Sequence, residues 1–105
     1  MDDKPVLVMR EGELSGQRWT IANPEFVIGR GNDCDIVLPE RQVSRYHVKI
    51  LRQDSGYWLE DLGSKNGTHL NGNQVEGTVP IADGDEIQIA LAVKLLFVGS
   101  DATLP

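Results

Sequence analysis

The feature that most constrains this chain is how often its apolar stretches are interrupted. Turn signals break them as "EGELSG", "RGNDC", "DSG", "LGSKNG", "NGN" and "ADGD". Gly, Asn and Asp accept the backbone angles that tight turns demand. Between the breaks, "HVKI", "YWLED" and "DEIQI" place apolar residues on alternate positions, the period of a strand with one buried face. Strands are expected over Val6–Met9, Arg18–Ala22, Phe26–Gly29, Asp35–Leu38, His47–Gln53, Tyr57–Asp61, Thr68–Leu70, Gln74–Val75, Glu86–Ile89 and Lys94–Val98. The run "LLFV" reads as a strand covered on both faces or meeting a neighbour on its outward side. Nothing has the period of a long amphipathic helix. Many short strands with such punctuation imply an all-β sandwich or barrel.

At 105 residues the chain has room for a single core. The expected layout is one domain over 1–105, with its core at about 5–99 and a tail or linker at 100–105. That tail suggests a piece of something longer. The net charge of −6 argues against direct nucleic-acid binding, which rests on clustered Lys and Arg. A local pocket can still be positive within an acidic surface, because close charges dominate the field at a contact. No apolar run approaches the roughly 20 residues that span a bilayer. The start, "MDDKPVLVMR", lacks the order of a signal peptide. Cys34 stands alone, so no internal disulfide forms and a reducing, cytoplasmic setting is favoured.

Enzymatic signatures are missing. Ser44 and His47 sit three apart, but no Gly-x-Ser-x-Gly elbow surrounds the serine and no acid is placed to orient the histidine. With two histidines and one cysteine, a zinc site would need scattered carboxylates, so neither a metal nor a cofactor is expected. "GRGNDC" puts Cys34 where a dinucleotide fingerprint wants its third glycine, and a strand follows instead of a helix. The expectation is a chain that is not an enzyme.

Two Asn-Gly pairs fall five residues apart in "SKNGTHLNGN". Asn-Gly is a strong hairpin signal, and for Asn71-Gly72 that reading suffices. For Asn66-Gly67, the neighbours Ser64, Lys65 and Thr68 add polar groups that a hairpin does not need. Three segments therefore carry surplus polar chemistry: Gly29-Arg30-Gly31, Ser44-Arg45-Tyr46-His47 and Ser64-Lys65-Asn66-Gly67-Thr68. Each is weak alone. Brought to one end of a sandwich, Arg30, Arg45 and Lys65 would surround an anion, and Ser44 with backbone N–H groups would complete the hydrogen bonds. Arginine offers a planar fork matched to phosphate oxygens, and lysine a point charge. Arg41 reads as a solvated charge, and Tyr46 reads with Val48 and Ile50 as part of the following strand.

The ordered set "FVIGRGNDCDIVLPERQVSRYHVKI", "YWLEDLGSKNGTHLNG", "ADGDEIQIA" and "LLF" resembles a forkhead-associated (FHA) domain from about Phe26 to Phe97. The resemblance implies a β-sandwich of about eleven strands, with its binding loops clustered at one end. It implies binding of phosphothreonine in partner proteins during signal transduction. A phosphothreonine brings about −1.5 to −2 charge and three acceptor oxygens. By resemblance, Arg30 and Ser44 contact the phosphate, with Arg45 and Lys65 in support, and Asn66 grips the main chain of the bound peptide. Gly29, His47, Gly67 and Thr68 shape the site. In the family the third residue after the phosphothreonine often sets partner choice: Gln42 lies where some members carry an arginine, and the apolar loop "ALAVK", with Ala90 and Leu91, is expected to present a greasy surface to that residue. A niche for the threonine methyl gives about fourfold over phosphoserine, since one buried CH₂ is worth roughly 0.8 kcal/mol.

Family habit also suggests the sensor part of a bacterial regulator, such as a winged-helix transcription regulator, in the cytoplasm. The alternative is a phosphate-independent interaction or intramolecular regulatory domain, whose partner binds even when Arg30 is replaced. The sequence leaves the partner, the kinase and the oligomeric state open.

Overall fold

The computed structural model describes residues 4–99, so the tail expected at 100–105 lies outside the described residues. Eleven strands form: β1 (Val6–Glu11), β2 (Arg18–Thr20), β3 (Glu25–Gly29), β4 (Ile36–Val37), β5 (Val48–Gln53), β6 (Gly56–Asp61), β7 (Thr68–Leu70), β8 (Asn73–Gln74), β9 (Thr78–Ile81), β10 (Glu86–Ile89) and β11 (Val93–Val98). They build two sheets. One has six strands in the order β2-β1-β11-β10-β7-β8, the other five in the order β4-β3-β5-β6-β9. Neighbours are antiparallel except β3 and β4, which run parallel.

The alternation seen in the sequence becomes the core. Leu7, Met9, Ile87, Ile89, Leu95 and Phe97 of the six-stranded sheet face Phe26, Ile28, Val48, Ile50 and Leu59 of the other, and all are buried. Period-two placement sends every second side chain inward. In β11 this gives Val93, Leu95 and Phe97 buried, with Lys94, Leu96 and Val98 half-buried on the outer side. The run "LLFV" therefore has one core face, and lies centrally between β1 and β10.

β9 was not among the ten strands expected from the sequence. It carries Pro80, opposite Trp58 of β6, and lies at the open edge of its sheet. Proline lacks an N–H and is tolerated in a sheet at such an edge. Most other boundaries shift by one or two residues. β2 stops at Thr20 rather than Ala22, β8 starts at Asn73, and β5 begins at Val48, leaving His47 before the strand. Tyr46 is not part of that strand. It projects outward, and its hydroxyl donates to the Asp33 carboxylate at 2.8 Å.

Asn71 and Gly72 form the two-residue turn of the β7–β8 hairpin, with φ of 51° and 86°. Two successive positive φ values are what this turn needs, and Asn and Gly tolerate them. The Asn71 side chain also donates to Asp85 and accepts from the Glu86 N–H, locking the turn to the start of β10.

Candidate functional site

Four connections meet at one end of the sandwich: β3–β4, β4–β5, β6–β7 and β10–β11. Main-chain bonds join the first two, since Arg30 N–H donates to Ser44 O at 3.0 Å and Gly31 N–H to Arg45 O at 2.9 Å. Gly29 makes this approach possible. A Cβ placed there would land on the Arg45 carbonyl oxygen, within 3.0 Å of His47 N. Its role is steric rather than a matter of φ.

His47 is the joint. Its side chain is fully buried, and its Nδ1 accepts from Ser44 N–H at 3.0 Å. With Nδ1 accepting, the proton must sit on Nε2, which donates to Gly67 O at 2.9 Å. Its main chain donates to Ile28 O and accepts from Leu62 N–H. One residue thus links β3 and the β4–β5 and β6–β7 connections. Burial holds its pKa below the ordinary imidazole value, against smaller opposing effects from Gly67 O and Asp61. Protonation would place a second donor against Ser44 N–H.

The β6–β7 connection is organised around Asp61, at the end of β6. Its carboxylate accepts from Ser64 N–H at 2.8 Å, from the Ser64 hydroxyl at 2.7 Å and from the buried Thr68 hydroxyl at 2.7 Å. Burial alone would raise its pKa, but these bonds, with His47 nearby, outweigh that and leave it below the usual carboxylate value. Ser64 in turn accepts from Gly67 N–H. Gly67 has φ 86°, which frees its carbonyl to accept from both His47 and the Ala90 N–H. Sequence reasoning gave no role to Asp61. The signal was present as an acid three residues before Ser64, the spacing of a side chain that caps its own turn.

The residues expected to meet a phosphate lie on this framework. The Ser44 hydroxyl oxygen accepts from Lys65 N–H at 3.0 Å, which leaves its own proton to donate outward. The Arg30 Nε donates to Val43 O at 2.9 Å, pinning the guanidinium while its two terminal nitrogens stay available. Arg45 and Lys65 are exposed, and no ion pair engages either among the described residues. Ser44, Arg30, Arg45 and Lys65 thus stand on loops that are hydrogen-bonded to one another.

The remaining site residues divide. Asn66 donates one amide N–H to Gln42 O at 2.7 Å, tying β6–β7 to β4–β5 and leaving its Oδ1 and second N–H for a ligand. Gln42 is exposed. Ala90 was expected to share an apolar surface with Leu91, but its methyl is fully buried and its φ is 54°. Leu91 alone projects, at 81% exposure. Among the described residues, no group of three His, Cys, Asp or Glu side chains could hold a metal ion.

Fold and loops define a class: a two-sheet β module whose β3–β4, β4–β5 and β6–β7 connections are hydrogen-bonded to one another at one end. The FHA-domain pattern matches residues 26–90, and the chain belongs to that family. It is 37% identical over 87 residues to the FHA domain-containing protein FhaB of Mycolicibacterium smegmatis, covering 83% of this chain and 56% of that protein. It is 36% identical over 93 residues to an oxoglutarate dehydrogenase inhibitor of Corynebacterium diphtheriae, covering 89% of this chain and 64% of that one. The chain spans less than two thirds of each of these relatives. A structure solved in a study of phosphothreonine-dependent FHA domain interactions superimposes with a TM-score of 0.81 at 30% identity, covering 90% of this chain and 95% of that one.

Proposed function

We propose that this chain is a phosphothreonine-dependent protein–protein interaction module in signal transduction. The observation that carries the reading is the pairing of Ser44 and Arg30 across two loops bound to each other. The hydroxyl keeps a free donor proton, and the guanidinium is held by Val43 O with its terminal nitrogens open. Arg45 and Lys65 add positive charge from the β4–β5 and β6–β7 connections. Asn66 offers a carbonyl oxygen and one N–H to a peptide main chain. Gln42 and Leu91, both exposed on connections at this end of the sandwich, contact the peptide beyond the phosphothreonine.

The module acts as part of a regulatory protein, as befits a match to a named inhibitor and to an FHA-containing protein. Its function is binding rather than catalysis, and it works in the cytoplasm of a bacterium. Among the described residues no helix is long and apolar enough to cross a membrane. An oriented library of phosphothreonine peptides tests the reading. The wild-type chain should retain phosphorylated members, and Arg30→Ala should retain few. Equal capture of the unphosphorylated library would overturn it and favour a phosphate-independent contact.

A further inference from the structure

The outward face of the six-stranded sheet carries a patch that the loop site does not use. Leu7, Met9, Leu95 and Phe97 point into the core, so alternation turns Val6 and Val8 of β1 and Leu96 and Val98 of β11 outward. Register sets Val6 opposite Val98 and Val8 opposite Leu96, which makes a two-by-two apolar block. All four side chains are half-buried. The described residues form two layers, and none of their strands makes a third over this face. A face left wholly to water usually carries polar residues here.

The row through Val8 and Leu96 continues to Arg18 of β2 on one side and to Glu86 of β10 on the other. Both charged residues face outward, since Trp19 packs against the core and Ile87 is buried. Across four strands the order is therefore Arg18, Val8, Leu96, Glu86: a cation and an anion at the ends of an apolar pair. Two such faces can meet about a twofold axis in the plane between them. An axis across the strands through this row would set Arg18 over Arg18 and Glu86 over Glu86. An axis along the strands, midway between β1 and β11, sets Arg18 over Glu86 of the other copy and Val8 over its Leu96. The charges select the second.

We propose that this face is a homodimer interface, built on Val6, Val8, Leu96 and Val98 and oriented by reciprocal Arg18–Glu86 pairs. Stacked sheets of this kind cross at about −30° and pack about 10 Å apart. The footprint, roughly four strands at about 4.8 Å spacing, is small beside the roughly 800 Å² per partner of stable complexes. Each copy also carries −6, so association is weak and depends on concentration. Because the axis runs along the strands, the loop ends of both copies point the same way. Two anion sites then face one side. If the reading of that site given above holds, a dimer engages a doubly phosphorylated partner with an effective-concentration gain.

Sedimentation equilibrium of the 105-residue chain, from about 10 μM to about 1 mM, tests the interface. The weight-average mass should climb toward twice the monomer. Arg18→Glu or Glu86→Arg should weaken association about tenfold, because each substitution enters a twofold interface twice. The double swap Arg18→Glu/Glu86→Arg should restore association. Leu96→Lys should leave a monomer that still binds a phosphothreonine peptide with unchanged affinity, which separates this interface from the loop site. A monomeric wild type at every concentration would overturn the proposal. So would single swaps without effect, or a double swap no stronger than its parents.

Discussion

Gly29→Ala tests whether the binding loops are held by backbone proximity. The added methyl meets the carbonyl oxygen of Arg45 and lies 2.9 Å from its carbonyl carbon and 3.0 Å from His47 N, so it confronts main chain that cannot rotate away. Relief requires the β4–β5 connection to lift from β3. That motion strains or breaks Arg30 N–H to Ser44 O, Gly31 N–H to Arg45 O and His47 N–H to Ile28 O. Overpacking of this kind costs about 1–3 kcal/mol, and each lost bond adds about 1 kcal/mol net. Alanine's stiffer unfolded chain returns about 0.4–1 kcal/mol. With all three bonds lost the expected loss is therefore about 3–5.5 kcal/mol, a fall in melting temperature of roughly 12–40 °C for a domain of this size. Urea melts with Gly56→Ala as control measure it, since a Cβ at Gly56 meets nothing within 4 Å. Any Gly29→Ala protein still folded at low temperature should bind phosphothreonine peptides at least tenfold more weakly. A stability within about 0.5 kcal/mol of wild type would refute the steric argument.

Three further outcomes are expected. Thr68→Val keeps the buried shape but removes a donor to the Asp61 carboxylate, costing about 1.5–3 kcal/mol by thermal or urea melts. Stability should rise with pH across the window between the lowered folded pKa of His47 and its ordinary value of 6.5, because the unfolded chain takes up a proton there and the folded one does not. As pH falls through that window stability is lost, and His47→Gln should flatten the slope in peptide-free melts. Asn71→Ala should cost about 2–5 kcal/mol, from a strained φ of 51° and two lost side-chain bonds, while leaving peptide affinity intact. Titration calorimetry beside a melt reads both.

Much of the fold was legible because its signals are local. Asn71-Gly72 encodes its own turn, and the alternation in "DEIQI" fixes which side of β10 is buried whatever the neighbours are. β9 was not legible, since Pro80 and Gly77 read as breaks; only the sheet order shows an edge where proline costs no ladder bond. The positions of Arg30, Ser44 and Asn66 in the sequence suggested an anion site. How they are held was not visible, because the ties run between loops distant in sequence: Asn66 to Gln42, His47 to Gly67, Lys65 to Ser44. Ala90 shows the same limit. An alanine in an apolar loop reads as surface, yet its N–H is bound to Gly67 O and its methyl is buried.

The central claim is that Ser44 and Arg30 read a phosphate on threonine. Calorimetric titration of one peptide in three forms, phosphothreonine, phosphoserine and unmodified, tests it most directly. The phosphothreonine form should bind with a Kd near 1 μM, about −8 kcal/mol, and the phosphoserine form about fourfold or more weakly. The unmodified form, and the phosphothreonine form with Ser44→Ala or Arg30→Ala protein, should show no measurable heat. Equal affinity for the modified and unmodified peptides, or full affinity in the Arg30→Ala protein, would contradict the account.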